Sequence, residues 1–534
     1  MPVDLVFTLL PLAAILIVLM VFKKPADISG IVGWIVIAVI SFLFFQTSVE
    51  VILRSTAAGL IRSFSVSLIV AASLLQMAFM EKTGALKRII IFIKTISSEH
   101  KAVQIMMVNI GFGTLMVAVG ATPVSILPPI LVAMGYSTYV AIALPAIGYD
   151  SLCTYALLGA PIVVFVDVAN KVLGGPDGGV QITLHEAGMM FYMFLPVVST
   201  LIGFSMLWIV GKGKAIREGW LPCLLTGAVI GVVAYFTNRH DNLVVLTGVM
   251  CGVAVILAMA LFLKIKGAPI IDKSRLTPEE LAYEREYPLW RAVTPWALLV
   301  GLILALNLPK PVFDYLYGTL KLPIQGLTAD GKPLDTRALW NAYTWIFVST
   351  FLSMVFIRPT GRQLADTMQV WLKRAPRPVF AAAIFFAIGE VMNMSGYDMA
   401  LQRPVTDSMV KVLADHSAGL FQHAYGGIVA FIGLFGGFLS GSEASTIAMF
   451  GKYALQTGQN LGLPVPGLII IMAGLAFGAG LASVVSPAKL QNAAASIDKI
   501  GEESKVIRVA IVFSLLLTLV TSGFVFLMLA LYGR

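Results

Sequence analysis

The stretch Ser440-Gly441-Ser442-Glu443-Ala444-Ser445-Thr446 sets one carboxyl and a run of hydroxyls between two apolar segments. At the start of a helix this pattern can bind an anion. Free backbone N–H groups and the positive end of the helix dipole attract a carboxylate. Ser442, Ser445 and Thr446 can hold substrate oxygens, and Glu443 can carry a coupled proton. The plainer alternative is a capped helix N-terminus in a wet turn, with Glu443 complementing the dipole. A second stretch, Gly120-Ala121-Thr122-Pro123-Val124-Ser125, offers hydroxyls on Thr122 and Ser125 but no acid. Pro123 suits the first turn of a helix there, and a simple proline kink is the alternative.

Other polar residues interrupt apolar runs. Asp150, in Gly148-Tyr149-Asp150-Ser151, is a candidate proton or cation ligand, or else a buried Asp bonded to Ser151 or Thr154. Tyr149 can donate to a substrate carboxylate or merely pack. Glu390 and Asn393, in Gly389-Glu390-Val391-Met392-Asn393, are candidates for ion coupling and substrate binding respectively. Ser486-Pro487 forms a further interruption, with Ser486 a candidate substrate ligand. Lys489 beside it can attract anions, but it reads better as a charge that orients the helices. Lys452 either faces the site or snorkels.

The same reading excludes other chemistry. No GxxxxGK[ST] loop is present, so ATP-driven transport by this chain alone is not expected. No HExxH or comparable metal or nucleophile cluster argues for an enzyme, and no cofactor is expected. Cys153, Cys223 and Cys251 lie in apolar stretches without metal-ligand spacing and read as core residues. The net charge of +9 is carried by short loops, which argues against nucleic acid.

These residues need elements to position them, and the composition says which. Of 534 residues, 58% are hydrophobic and 12% charged, whereas a soluble domain has about 25% charged. The lipid bilayer is therefore a partner, and the expected fold is an all-α polytopic membrane protein of about 14–16 membrane segments. Sixteen apolar segments are legible, of which 121–135 and 443–456 are short enough to be half-helices or re-entrant pieces. With the N-terminus outside, the inside loops hold 25 of the 37 basic residues, which sets both termini on the outer, periplasmic side of a bacterial inner membrane. Thr277-Pro278-Glu279-Glu280, in the longest inner loop, reads as a capped helix start.

An order of features recurs. Glu81-Lys82-Thr83-Gly84 and Asn393-Met394-Ser395-Gly396 each precede a Gly-rich helix, then one of the two breaks, then a second interruption at Gly159-Ala160-Pro161 or Ser486-Pro487. The orientation makes the halves inverted: a first repeat over 1–210, a connecting helix pair and loop over 211–292, and a second repeat over 293–534. Broken helices of two inverted repeats meeting near the midplane make a transport site.

Several ordered blocks resemble the L-lactate permease family across most of the chain. Phe438-Leu439-Ser440-Gly441-Ser442-Glu443-Ala444-Ser445-Thr446 is similar to the family's FLTGSDTSS, and Val485-Ser486-Pro487-Ala488-Lys489-Leu490 with Gly501-Glu502-Glu503-Ser504 to its ISPQSIA…GKES. Asn393-Met394-Ser395-Gly396, Glu81-Lys82-Thr83-Gly84, Gly159-Ala160-Pro161-Ile162 and Trp290-Arg291-Ala292-Val293-Thr294-Pro295 also match. The first break departs from the family's EGAAGFGAP: Val117-Ala118-Val119-Gly120-Ala121-Thr122-Pro123 is shorter and lacks the acid, while Asp150 stands where the family more often has a neutral residue. The resemblance implies proton-coupled uptake of lactate, glycolate or a related 2-hydroxy monocarboxylate. Another anion, such as a dicarboxylate or sulfonate, or coupling to Na⁺, is the alternative. Homo-oligomers are compatible with the sequence.

Overall fold

A computed structural model describes residues 3–96, 100–148, 150–174, 179–499 and 502–533. Among them, 11 helical runs are long and apolar enough to cross a bilayer, and Pro123–Ala133, Ala342–Ile357 and Val465–Leu481 are shorter apolar helices. Within hydrocarbon, a helix satisfies its backbone polar groups internally, which is why these apolar runs fold as helices. The described strands form two small hairpins, Leu322–Ile324 with Leu334–Thr336 and Tyr397–Asp398 with Arg403–Pro404. The expected all-α polytopic membrane class is therefore found.

The segmentation changes in detail. The expected segments 188–210 and 218–236 are one run, Leu184–Asn238, interrupted where Lys212 is left-handed at φ 51°. The second break is not followed by a half-helix: Glu443–Asn460 has 18 residues, about 27 Å at the α-helical rise. Lys452, Gln456 and Thr457 lower its hydropathy, but Thr457 is buried with its hydroxyl donating to the Tyr453 carbonyl at 2.9 Å. By contrast, Pro123–Ala133 has 11 residues, about 17 Å, and is a half-length helix as expected. The expected segment 138–167 divides into Thr138–Gly148, a tight turn over Asp150–Tyr155, and Ala156–Leu173, whose Leu157, Leu158 and Gly159 are all left-handed. The interruption thus begins before Gly159. The helix Val49–Arg62 was not legible, because Glu50, Arg54 and Arg62 interrupt its apolar pattern; Ser48 caps it, accepting from the Val51 amide.

Both breaks use the same backbone device. Gly120 (φ +88°) and Gly441 (φ +68°) turn the chain through the left-handed region, which glycine adopts without strain. An extended residue follows, Thr122 or Ser442, and a helix begins at Pro123 or Glu443. The expected cap at Thr277 is present as a full capping box with Glu280.

Packing around the second break depends on close backbone approach. Tyr425–Ser440 lies against Val465–Leu481, and a Cβ placed on Gly433, Gly437 or Gly478 would stand 2.0, 2.3 or 1.9 Å from the carbonyl oxygens of Leu475, Ala479 and Ala430. Small residues make such interfaces in membranes, where there is no hydrophobic drive between helices. The Glu443 helix packs on Val465–Leu481, Ala156–Leu173 and Pro376–Met394, and the Pro123 helix packs on Pro487–Ala495. Each break helix therefore meets the helix that follows the second interruption of the other half.

Candidate functional site

Glu443 sits at the first turn of its helix, 4% exposed. Its Oε1 accepts a 2.7 Å hydrogen bond from Thr154, which the Asp150–Tyr155 turn brings across from the first half of the chain. Its Oε2 is buried without a hydrogen-bond partner among the described residues. Gly480 makes room for that oxygen: a Cβ there would lie 2.9 Å from Oε2 and 3.2 Å from Cβ of Cys153. Lys489 lies within electrostatic reach of Glu443.

Around this carboxyl the hydroxyls are ordered by the turn itself. Ser442 Oγ accepts from the Ser445 amide at 3.3 Å, and the Ser442 carbonyl accepts from both the Ser440 and Thr446 hydroxyls at 2.9 Å. Ser440 and Thr446 also bond each other at 3.1 Å. Among the described residues, Ser445 Oγ is buried with no such partner, as is Ser151 Oγ in the facing turn. Orphaned buried hydroxyls are rare enough to need a reason, and a ligand-binding interior supplies one. Ser486, 4% exposed, has its Oγ 3.9 Å from where a Gly441 Cβ would stand, so the second interruption reaches the second break.

The predicted residues are thus partly gathered. Ser442, Glu443, Ser445, Thr446 and Ser486 share one neighbourhood with the buried Asp150 turn. Thr122 and Ser125 are exposed, and Pro123 is buried. The first break is joined to this neighbourhood through the 150–159 segment: a Cβ on Gly120 would contact Ser73 Oγ and lie 3.7 Å from Leu157. The two breaks therefore flank that segment. Tyr149 lies outside the described residues. Glu390 and Asn393 belong to a second cluster: Glu390 pairs with Lys171 at 2.7 Å and with Arg62 at 3.8 Å, while Lys452 donates to the Asn393 carbonyl at 3.4 Å.

Sequence reasoning offered Thr154 only as a neighbour of Asp150, and missed Gly480, Lys171 and Arg62 as participants. Thr154 and Gly480 carry no local signal, since their importance comes from Glu443 alone. Lys171 follows an apolar run and read as an ordinary flanking charge.

A model of the family described as L-lactate permease matches residues 4–532. The chain belongs to the L-lactate permease family. Members of the L-lactate permease family are transporters, so the absence of enzymatic motifs noted above accords with a transport protein embedded in a membrane. Relatives include the L-lactate permease of Escherichia coli K12, 23% identical over 90% of this chain and 87% of its own length. The glycolate permease GlcA of the same organism is 22% identical, covering 95% of this chain and 92% of its own. The solved structure of Neisseria gonorrhoeae MtrF has a TM-score of 0.43 and 13% identity over 87% of this chain and 82% of its own, too slight a likeness to inform the site.

One substitution isolates the Glu443 pocket within this L-lactate permease family member. Gly480→Ala puts a methyl group against Oε2 at 2.9 Å, closer than carbon and oxygen tolerate, and must displace the carboxyl. The carboxyl is the end of a side chain that can turn, so the fold yields at little cost while the acid leaves its place. The expected result is uptake lowered at least about tenfold in a protein that still inserts and purifies normally, read by initial rates in proteoliposomes. Undiminished uptake would show that the carboxyl's position is immaterial.

Proposed function

We propose that this protein is a secondary active transporter of a small monocarboxylate such as L-lactate or glycolate, coupled to protons through Glu443. The observation that carries the coupling is a carboxyl at a helix break with one oxygen bonded to Thr154 and the other unmatched. An ionised carboxylate in a membrane interior is costly. A proton relieves that cost, and the substrate binds where the charge was relieved. The names of the relatives, L-lactate permease and glycolate permease, support the substrate class.

In this reading the substrate carboxylate docks at the N-terminus of the Glu443 helix. Ser442, Ser445, Thr446 and Ser486 offer hydroxyls, Lys489 offers positive charge, and the amides of the first turn point the same way. Thr122, Pro123 and Ser125, with Tyr149, serve the first break, and Asp150 is the second coupling candidate. Glu390 is engaged by two cations, which suits holding them in place better than cycling a proton. The stretches 1–210 and 293–534 act as inverted repeats that expose the site alternately, joined by 211–292. The matched left-handed turns at Gly120 and Gly441 support that pairing. In this reading the protein sits in a bacterial inner membrane, and the distribution of Lys and Arg supports both termini being periplasmic.

The test is uptake of labelled L-lactate into proteoliposomes under an imposed pH gradient, with and without Na⁺, challenged by unlabelled glycolate, a dicarboxylate and a sulfonate. The expected result is gradient-driven uptake without Na⁺, competed by glycolate alone. Uptake that follows Na⁺, or that only the dicarboxylate or sulfonate competes, would replace this reading with the corresponding one.

A further inference from the structure

The second cluster has no task in the mechanism just described, yet its composition is specific. Arg62, Lys171 and Lys452 converge from three helices, Val49–Arg62, Ala156–Leu173 and Glu443–Asn460. Glu390 faces Lys171 and Arg62 directly. Asp330 stands within electrostatic reach of Lys171 and Lys452. Three cations thus answer to two carboxylates. Lys411, nearer the surface, is answered by its own acids, Asp407 at 2.7 Å and Asp415 at 3.7 Å, and so adds no positive charge to the inner group. One monoanion would balance the inner group of Arg62, Lys171, Lys452, Glu390 and Asp330.

There is also space for it. A cavity of about 290 Å³ is bounded by Asn393, Ser395, Lys452 and Gln456 on its inner side, and by Asp407 and Lys411 toward the surface. Lys411 is exposed, so the cavity opens outward. Its inner wall is polar and under-bonded. Among the described residues, Asn393 Oδ1 and Gln456 Oε1 in this wall are buried without hydrogen-bond partners, and behind the wall so is Arg62 Nε. The sole hydrogen bond described for the Lys452 ammonium is the long one to the Asn393 carbonyl. A buried wall of this kind is suited to a ligand that both accepts from lysine and bonds to amides.

The placement relative to the inner site is informative. Ser445, Lys452 and Gln456 fall seven and then four residues apart on one helix, hence on one face. Between Ser445 and Lys452 the helix is closed against Pro376–Met394: a Cβ on Gly389 would lie 2.9 Å from the Ala448 carbonyl and from Met449 Cα. Lys452 lies about 10 Å from Ser445 along the axis. The cavity is therefore a chamber distinct from the break, behind a tight glycine contact.

We propose that this cavity is an anion-capture vestibule, in which Lys452, with Arg62 and Lys171 behind it, binds the carboxylate of a small monoanion before it reaches the helix break. This rests on the transport reading above. Glu390 keeps the three cations from dispersing, and the Asn393 and Gln456 amide oxygens accept from the hydroxyl of a bound 2-hydroxy acid.

The test is chosen so that the vestibule and the transport reading fail separately. The native cysteines described, Cys153, Cys223 and Cys251, are buried, so a cysteine introduced as Gln456→Cys is the accessible target of an anionic thiosulfonate reagent. Millimolar L-lactate should slow its modification severalfold, while the same concentration of chloride should not. Protection should persist with Glu443→Gln added, which leaves the vestibule intact, and vanish with Lys452→Gln added. Lys452→Gln alone should raise the KM for uptake about tenfold, as expected for one lost charge-assisted contact, and Lys452→Arg should restore it in part. Should Lys452→Gln fail to purify as a single species, Arg62→Gln, at the half-exposed edge, gives the same readout. Equal protection by chloride, or none by lactate in a protein that transports lactate, overturns the vestibule. Protection without uptake by the unmutated protein overturns the transport reading and leaves the vestibule standing.

Discussion

Glu443→Gln should abolish net accumulation of lactate driven by a pH gradient while sparing exchange of internal for external lactate. Glutamine keeps the size of the side chain, and its carbonyl can still accept from Thr154, so the turn at Asp150–Tyr155 stays docked. What it cannot do is take up and release a proton. Net uptake requires that cycle to run empty in one direction, whereas exchange never needs the carboxyl to be reset. The expected loss in gradient-driven uptake is about 100-fold, near the top of the usual range for coupling between two bound ligands. Exchange measured by counterflow should fall far less. Equal loss of both modes would make Glu443 a binding group and not a coupling group, and undiminished accumulation would remove it from the mechanism.

Gly478→Val should prevent a stable fold. The carbonyl of Ala430 lies 1.9 Å from where the first added carbon would go, and Gly433 and Gly437 make the reciprocal approach one and two turns away. No rotamer avoids a backbone atom, so the helices Tyr425–Ser440 and Val465–Leu481 must separate. Overpacking costs about 1–3 kcal/mol where side chains can yield, and here the neighbour is backbone, so the cost should be at or above the upper figure. Thermal unfolding in detergent, followed by loss of a monodisperse peak, reads this directly. Gly301→Val is the matched control, since nothing lies within 4 Å of an added carbon there. If both variants unfold together with the native chain, the glycine interface is not what holds the second half.

Much of this was legible in the sequence, and the part that was not has a common cause. The membrane class follows from apolar runs that no soluble core could hide, and the capped start at Thr277 follows from local hydrogen-bond chemistry. The breaks at Gly120 and Gly441 were legible because glycine and hydroxyl residues, with an acid at the second, interrupt hydrophobic periodicity in a few consecutive positions. Glu443 could be singled out for the same reason. Its partner could not, because Thr154 is an ordinary hydroxyl until the fold places it 2.7 Å from the carboxyl. The cluster at Glu390 shows the limit more plainly: Lys171, Arg62 and Lys452 come from separate helices, and although Lys452 could be read as facing a site, nothing in the sequence joins it to the other two. The length of the Glu443 helix was underestimated because hydropathy counts Lys452 and Thr457 as polar, whereas their surroundings, not the lipid, receive them. Nor could the sequence place Thr122 and Ser125, whose exposure depends on what covers the Pro123 helix.

The interlocked glycines also bear on motion. Carbonyl oxygens wedged against bare α-carbons cannot slide past one another without collision, so Tyr425–Ser440 and Val465–Leu481 must travel as one rigid slab, carrying the Gly441 turn and Gly480 with them. Any rearrangement that shows Glu443 first to one side of the bilayer and then to the other must be taken up elsewhere. A seam among the described residues is the left-handed run Leu157-Leu158-Gly159, where the backbone has already left the helix, with Gly120 beside Leu157 and the Thr154 turn that holds Glu443 just before it.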